Sequence, residues 1–165
     1  LGLIHDKTGR HSEARNYLDQ SLKFRANDKD TLYNLGVVLE KLGETSQAKA
    51  AYENAIRVDP GYARAYSNLG ILYAGQGDFQ AARSNFEAAL RVDPGYARAH
   101  FNFATMLVKL NQSAEAESHF KQAIQIDPYH AKTYNSLGSL LRSQGRTAEA
   151  ASYLERARAL GDGGR

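Results

Sequence analysis

The seven residues Asp59-Pro60-Gly61-Tyr62-Ala63-Arg64-Ala65 recur unchanged, 34 residues later, as Asp93-Pro94-Gly95-Tyr96-Ala97-Arg98-Ala99. The third proline of the chain, Pro128, again follows an aspartate and again lies 34 residues further on. A fixed period of this length is the signature of a protein built from tandem structural repeats. The sequence therefore predicts a repeat array rather than a fold with one irregular core.

The period divides the chain into five units. The first, 1–28, lacks its first six positions, and four complete units follow at 29–62, 63–96, 97–130 and 131–164. We interpret 1–165 as a single repeat domain. Because Leu1 falls in the middle of an element of the repeat, we expect the sequence to be a fragment of a longer protein.

Each unit has the pattern of two helices. In the first, the fourth, seventh, eighth, tenth and eleventh places are apolar and fall on one stripe of a helix. The second carries an alanine followed four residues later by a large apolar residue, and Asp-Pro ends it because a residue before proline avoids the α region. Between them stands a residue suited to a left-handed helix end, namely Gly9, Gly43, Gly77, Asn111 or Gly145.

This pattern resembles the tetratricopeptide repeat family, whose 34-residue unit is a helix–turn–helix. The clearest match is Tyr66, Leu69, Gly70, Tyr73, Ala82, Phe86 and Pro94. The resemblance covers essentially the whole chain. It implies an all-α fold of tandem helix–turn–helix repeats that form a right-handed superhelical α-solenoid with a concave groove. We also expect the small residues Gly36, Gly70, Ala104 and Gly138 to face the alanines Ala48, Ala82, Ala116 and Ala150.

Composition excludes several classes of function. The 165 residues include no cysteine, so disulfides and thiolate metal sites are absent. No metalloprotease, phosphate-loop or nucleophile-elbow motif occurs, and the five histidines do not share a repeat place, with His100 at a core aromatic place. No apolar run is long enough to cross a bilayer. We predict a protein that is not an enzyme and that needs no cofactor and no metal.

Surface recognition is the function that these observations favour. Within the first helix of each unit, the second, sixth, ninth and thirteenth places lie opposite the core stripe, and the family resemblance implies that they line the concave groove. We call this set the recognition stripe: Asp30, Asn34, Val37, Lys41, Arg64, Asn68, Ile71, Gly75, Arg98, Asn102, Thr105, Lys109, Lys132, Ser136, Ser139 and Ser143. It holds five cations and one carboxylate, against 21 and 18 in the whole chain.

Two rows of the recognition stripe suggest a ligand. Asparagine amides at the sixth place both donate and accept, as the main chain of an extended peptide requires, and cations at the second place pair with carboxylates. We therefore predict a protein partner with an extended, acidic segment. Our candidate binding residues are Asn34, Asn68, Asn102, Arg64, Arg98, Lys132, Val37, Ile71 and Lys109, with Tyr62 and Tyr96 (and His130) at the groove edge. Family inheritance alone also explains the asparagines, and solvation alone explains the cations.

Other interpretations remain open at this point. An asparagine row is similar to the ladder in the repeat superhelix of O-GlcNAc transferases, so the chain is alternatively a substrate-docking arm of a larger enzyme. The isoelectric point of about 9.1 and the tyrosines allow RNA binding, which we place second. The carboxylate clamp for chaperone tails is disfavoured, because Tyr33, Ser67 and Phe101 stand where it needs lysine. Terminal repeats without a polar cap, exposing Leu154 and Leu160, predict self-association.

Overall fold

The computed structural model of the chain describes residues 10–162, and this part consists of helices joined by short turns. The helices are α1 (His11–Phe24), α2 (Lys29–Lys41), α3 (Thr45–Val58), α4 (Ala63–Gly75), α5 (Phe79–Val92), α6 (Ala97–Lys109), α7 (Ser113–Ile126), α8 (Ala131–Ser143) and α9 (Thr147–Asp162). The all-α, tandem helix–turn–helix fold is confirmed. The predicted turn at Gly9, the histidine at His5 and the first-unit start at Leu1 lie outside the described residues.

Left-handed residues end the first helix of each described repeat, as the sequence predicts. The φ angles are +76° at Gly43, +82° at Gly77, +57° at Asn111 and +79° at Gly145. In every case the next residue returns its N–H to a carbonyl five residues back, as Glu44 does to Leu39 at 2.9 Å and Gln112 does to Leu107 at 2.9 Å. This pairing satisfies carbonyls that the helix end leaves open, and it closes the turn between paired helices.

The Asp-Pro sequences end the second helices in one recurring way. At Asp59 the backbone is extended, with φ −136° and ψ 98°, which stops α3 at the residue before proline. The Asp59 carboxylate then accepts the N–H of Gly61 at 2.8 Å. Asp93 accepts from Gly95 at 3.0 Å and Asp127 from Tyr129 at 3.1 Å. The repeated heptapeptide is thus a repeated local structure.

The helices group into two compact units, Leu1–Val92 with α1 to α5 and Asp93–Arg165 with α6 to α9. Within each unit every helix packs against the next along the chain. Large side chains fill the layers between them, with Tyr52 and Phe86 buried in the first unit and Phe103 and Phe120 in the second. Every complete repeat contains one helix pair. The organisation of residues 1–165 as a single domain stays a prediction.

The expected contact between small residues takes a different form. The alanines are buried as predicted, Ala48 and Ala82 completely. A Cβ built on Gly70, however, would lie 2.8 Å from Cε1 of Phe86, and one on Gly36 would meet Tyr52 in the same way. On Gly138 it would lie 2.7 Å from Cγ of Leu154. The glycines therefore make room for the large residue four places after the alanine.

His100 occupies a core place, as predicted, and pairs with a second histidine. It is 9 % exposed, and its Nε2 donates to the carbonyl oxygen of Pro94 at 3.1 Å. Its Nδ1 lies 2.9 Å from Nδ1 of His119. Because a carbonyl only accepts, neutral His100 carries its proton on Nε2 and accepts at Nδ1, so His119 must donate. A further proton on His100 would occupy Nδ1, the atom that accepts from His119, so the hydrogen bond could not form in this direction.

This pairing predicts acid sensitivity. Burial lowers the pKa of His100 from its ordinary 6.5, so the folded protein keeps it neutral where the unfolded chain protonates it. The free energy of unfolding should therefore fall as the pH drops through about 6.5. Thermal melts at about pH 7.5 and about pH 5 should show a smaller acid shift for His100→Tyr, since Tyr134 fills the same place in the next repeat. Equal shifts in both proteins would contradict the pairing.

Candidate functional site

Asn68, in the middle of the predicted amide row, is held by the protein itself. It is 7 % exposed, and its Nδ2 donates to the hydroxyl of Tyr52 at 2.9 Å and to that of Tyr33 at 3.4 Å. The Tyr52 hydroxyl in turn donates to the carboxylate of Glu40. Burial raises the pKa of Tyr52 and of Glu40. The result is a buried polar chain from α2 through α3 to α4.

Tyrosine rings pack beside the buried polar chain that runs through Asn68. The Arg64 guanidinium lies 4.6 Å from the ring centre of Tyr33. Tyr62 packs edge-on against Tyr33 at 5.5 Å, and its hydroxyl donates to Asp30 at 2.6 Å. Tyr62 is only 8 % exposed, and burial raises its pKa. The Tyr62 ring is therefore packed against the protein, and little of it is accessible to a partner.

The remaining candidates of the first unit differ in their exposure. Ile71 is 40 % exposed on α4 and so presents apolar surface to solvent. Val37 and Asn34 on α2 are half-buried. Arg64 is exposed although its guanidinium rests on a ring. These residues can offer a partner one apolar contact, one cation and one partly accessible amide.

The second unit contains a cavity of about 330 Å³ among α6, α8 and the end of α7. Its lining combines small alanines with polar and aromatic groups, which are Arg98, Phe101, Asn102, Asp127, His130, Lys132 and Thr133. The Lys132 ammonium lies 5.4 Å from the ring centre of Phe101. His130 packs edge-on against the same ring at 5.3 Å, and its Nδ1 lies 2.6 Å from Oγ1 of Thr133. Three candidates, Arg98, Asn102 and Lys132, meet here.

Asn102 stands at the same repeat place as Asn68 but in a different environment. Its Nδ2 atom is buried and has no hydrogen-bond partner among residues 10–162. A buried donor without a partner costs about 1–3 kcal/mol.

The two last candidates lie at opposite ends of α6. Tyr96 is half-buried just before it, and Lys109 is exposed in its last turn.

The cations of the second unit's recognition stripe differ from those arginines and lysines that form ion pairs elsewhere in the described residues. Arg15 bonds Glu44 at 2.8 Å, and Arg146 bonds both Glu117 and Glu149. The hydrogen bond from Arg146, with a further one from Lys121, lowers the pKa of Glu117. By contrast, no carboxylate in the described part of the chain forms an ion pair with the exposed cations of the stripe, Arg98, Lys109 and Lys132.

Two features of other functional classes are absent from residues 10–162. No three His, Asp or Glu side chains in this range converge as a metal site would require. Among the helices of the same range, none combines the length and apolar character needed to span a bilayer.

Sequence comparison identifies the repeat. Models described as "Tetratricopeptide repeat" match residues 1–28, residues 28–94, and residues 68–131 and 104–165. The chain belongs to the tetratricopeptide repeat family. No curated protein sequence matches it significantly.

Solved structures of tetratricopeptide repeat proteins have the same fold. The crystal structure of MamA has a TM-score of 0.81 at 23 % identity, covering 98 % of this chain and 95 % of that one. MamA from Desulfovibrio magneticus RS-1 has a TM-score of 0.80 at 21 % identity, with coverage of 99 % and 92 %. For pilF of Pseudomonas aeruginosa the values are 0.89 and 20 %, with coverage of 96 % and 72 %.

The polar chain through Asn68 and the His100–His119 pair are features that sequence analysis did not find. One signal for the first was present. Tyrosine stands at the place of Tyr52, where the later repeats have Phe86 and Phe120. A hydroxyl at a core place needs a buried partner, so this difference marks the one repeat that can carry such a chain.

Proposed function

We propose that this tetratricopeptide repeat chain is a non-catalytic protein-interaction module that binds an extended, acidic peptide segment through its recognition stripe. The family supports a protein-interaction scaffold. The observation that carries the finer proposal is the second unit's set of exposed cations without carboxylate partners. Because no carboxylate within residues 10–162 forms an ion pair with Arg98, Lys109 or Lys132, these three exposed cations of the stripe are left available for a partner's carboxylates.

The proposed contacts do not contribute equally to the binding free energy. A single exposed ion pair contributes only about 0–1 kcal/mol, so several must act together. Ile71 offers the apolar contact and Arg64 a cation positioned by Tyr33, while Asn102 is half-buried and its Nδ2 atom is itself buried. Asn68 contributes little, because its amide nitrogen is already engaged with two hydroxyls.

The burial of Tyr62 weakens the case for RNA. Stacking on a base requires an accessible ring face, yet Tyr62 is 8 % exposed and packed against Tyr33.

The docking-arm alternative remains a proposal that the full-length gene decides, since it requires a catalytic domain elsewhere in the protein. Self-association also remains a proposal; the surface there is mixed, with half-buried Leu154 beside Arg142 and Arg158.

Selection from a random peptide library tests the proposed function. The purified chain should enrich peptides rich in aspartate and glutamate, and their binding should weaken with added salt. The variant Arg98→Glu/Lys132→Glu should lose this enrichment. Its matched control, Arg57→Glu/Arg91→Glu, changes charge equally on exposed sites of the second helices and should retain it.

Three outcomes count against the proposed function. Enrichment of peptides without acidic residues would contradict the electrostatic part of the proposal, in which the cations bind carboxylates. Equal loss in the matched control would show that net charge, not the stripe, attracts them. Binding of a single-stranded oligonucleotide in place of any peptide would favour the RNA alternative.

A further inference from the structure

The helix pair α8–α9 differs from the earlier pairs at two places that those pairs use for packing. At the fifth place of the first helix, Tyr33 and Phe101 are buried, whereas Asn135 is exposed. At the twenty-eighth place of the repeat, Arg158 is exposed on α9 where every earlier repeat has an aliphatic residue, namely Leu22, Ile56, Leu90 and Ile124. Two of these, Leu22 and Ile56, pack against the hydrophobic core of the first unit. At the same two places, α8–α9 therefore presents an amide and a cation to solvent.

A depression of about 430 Å³ lies between α8 and α9, and it is strongly basic. Three exposed cations line it, Lys132, Arg142 and Arg158. None of the three forms an ion pair with a carboxylate in the described part of the chain. The described carboxylates of α9, Glu149 and Glu155, lie outside the lining, and Glu149 already bonds Arg146 at 2.7 Å. Three cations and no carboxylate give the lining a fixed charge of +3.

This charge favours a phosphate monoester over a carboxylate. One carboxylate would leave two of the three cations unbalanced, whereas a phosphate monoester carries about −1.5 to −2 at pH 7. The guanidinium groups of Arg142 and Arg158 are planar forks of N–H donors, which match phosphate oxygens bidentately. The amide of Asn135 and the hydroxyl of Ser139 also line the depression and add neutral donors. The lining thus combines positive charge and donors for an anion that has three terminal oxygens.

The lining of the depression also indicates what carries the phosphate. None of the described residues that line it is aromatic, so a nucleobase would have no ring to stack on. Its cations and Asn135 are exposed, so the depression cannot enclose most of a free small molecule as ligand pockets usually do. Leu154 and Ala157 give it a half-buried apolar side. A phosphate on a short aliphatic side chain fits this arrangement, with the rest of its protein outside the depression.

We propose that the depression between α8 and α9 binds the phosphate group of a phosphorylated serine or threonine in a protein partner. Arg142 and Arg158 hold the phosphate oxygens, Asn135 and Ser139 donate further hydrogen bonds, and Lys132 adds charge. This inference goes beyond the proposed function, because it concerns a different ligand group and does not use Arg98 or Lys109. Lys132 is the one residue that the two sites share, so the test leaves it unchanged.

The test titrates the full chain with blocked peptides of alanine and glycine that carry one central residue. That residue is phosphoserine in the first peptide, glutamate in the second and serine in the third, and inorganic phosphate alone is a fourth probe. The readout is NMR, which detects weak binding directly, from the side-chain signals of Asn135, Arg142 and Arg158. Signals of Ile71 and Thr105 report any contact with the recognition stripe.

The phosphoserine peptide should shift the signals of the depression saturably, the glutamate peptide should bind about tenfold more weakly, and the serine peptide should not bind. Arg142→Gln/Arg158→Gln should weaken phosphoserine binding at least about tenfold. The melting temperature should not change, because both arginines are exposed. The matched control Arg91→Gln/Arg156→Gln removes the same charge from exposed sites outside the depression and should bind like the parent.

Three results would overturn this inference. Equal weakening in the matched control would show that net charge attracts the peptide, not the depression. Inorganic phosphate that binds as tightly as the phosphoserine peptide would assign the depression to a free anion. Anionic lipid vesicles or a single-stranded oligonucleotide that shift these signals, where the phosphoserine peptide does not, would assign it to another class of partner. Because Arg142→Gln/Arg158→Gln retains Arg98, Lys109 and Lys132, it should still enrich acidic peptides from the library, so the two proposals fail separately.

Discussion

Replacing Phe86 with alanine should lower the free energy of unfolding by about 3–5 kcal/mol, the usual cost of removing a buried phenylalanine ring. The ring is 1 % exposed. It packs where Gly70 has no side chain, since a Cβ there would lie 2.8 Å from Cε1. Ala82, four residues before Phe86 on α5, is also fully buried, so removal of the ring leaves a cavity inside the packed helix pair.

Urea unfolding followed by circular dichroism measures this effect. The matched control is Phe24→Ala, because Phe24 is 88 % exposed and its ring contributes little to the core. The control should change the free energy of unfolding by less than about 0.5 kcal/mol. Comparable losses in the two variants would mean that the packing of Phe86 against Gly70 is wrong.

Replacing Tyr52 with phenylalanine should cost about 1–3 kcal/mol even though one hydroxyl is the only difference. The hydroxyl connects Asn68 to Glu40, and both groups lose a hydrogen bond when it is removed. Ring packing should not change, because Phe86 occupies the same place in the next repeat with an equally buried ring. The loss therefore reports the polar chain alone.

The control for this substitution is Tyr129→Phe, whose ring is 76 % exposed. It removes a hydroxyl that water already solvates, so stability should be unchanged. Equilibrium unfolding of both variants gives the comparison. A Tyr52→Phe protein as stable as the parent would show that Asn68 and Glu40 do not depend on this hydroxyl, and Asn68 would again be available to a partner.

Much of the fold could be predicted because the repeat dictates it locally. The left-handed turns at Gly43, Gly77, Asn111 and Gly145 and the stops at the Asp-Pro sequences depend on one or two residues each, so the period alone positions them. The partner of each small residue in the first helix could not be predicted in this way. Which side chain fills the space over Gly70 depends on the length and direction of Phe86, not on the spacing of alanines.

The candidate site could be predicted only as a set of places. Asn68 and Asn102 have the same residue type at the same place, and no periodic argument separates them. Their difference arises from hydroxyls contributed by other helices, Tyr33 and Tyr52 in the case of Asn68. We expected Tyr62 at the edge of a groove. Its hydrogen bond to Asp30 and its packing against Tyr33 leave little of the ring exposed. Side chains from neighbouring repeats decide which polar groups remain available.

Site-specific photocrosslinking tests the central claim, that the recognition stripe binds the peptide, most directly. A benzophenone side chain would replace Ile71 or Thr105 in the stripe, or Ser84 or Ser118 on exposed sites of α5 and α7. Each protein would be irradiated with the peptide that library selection returns, and the crosslinked product would be quantified by mass spectrometry. The account predicts crosslinks from Ile71 and Thr105 and none from Ser84 and Ser118. Crosslinks confined to Ser84 and Ser118 would contradict it.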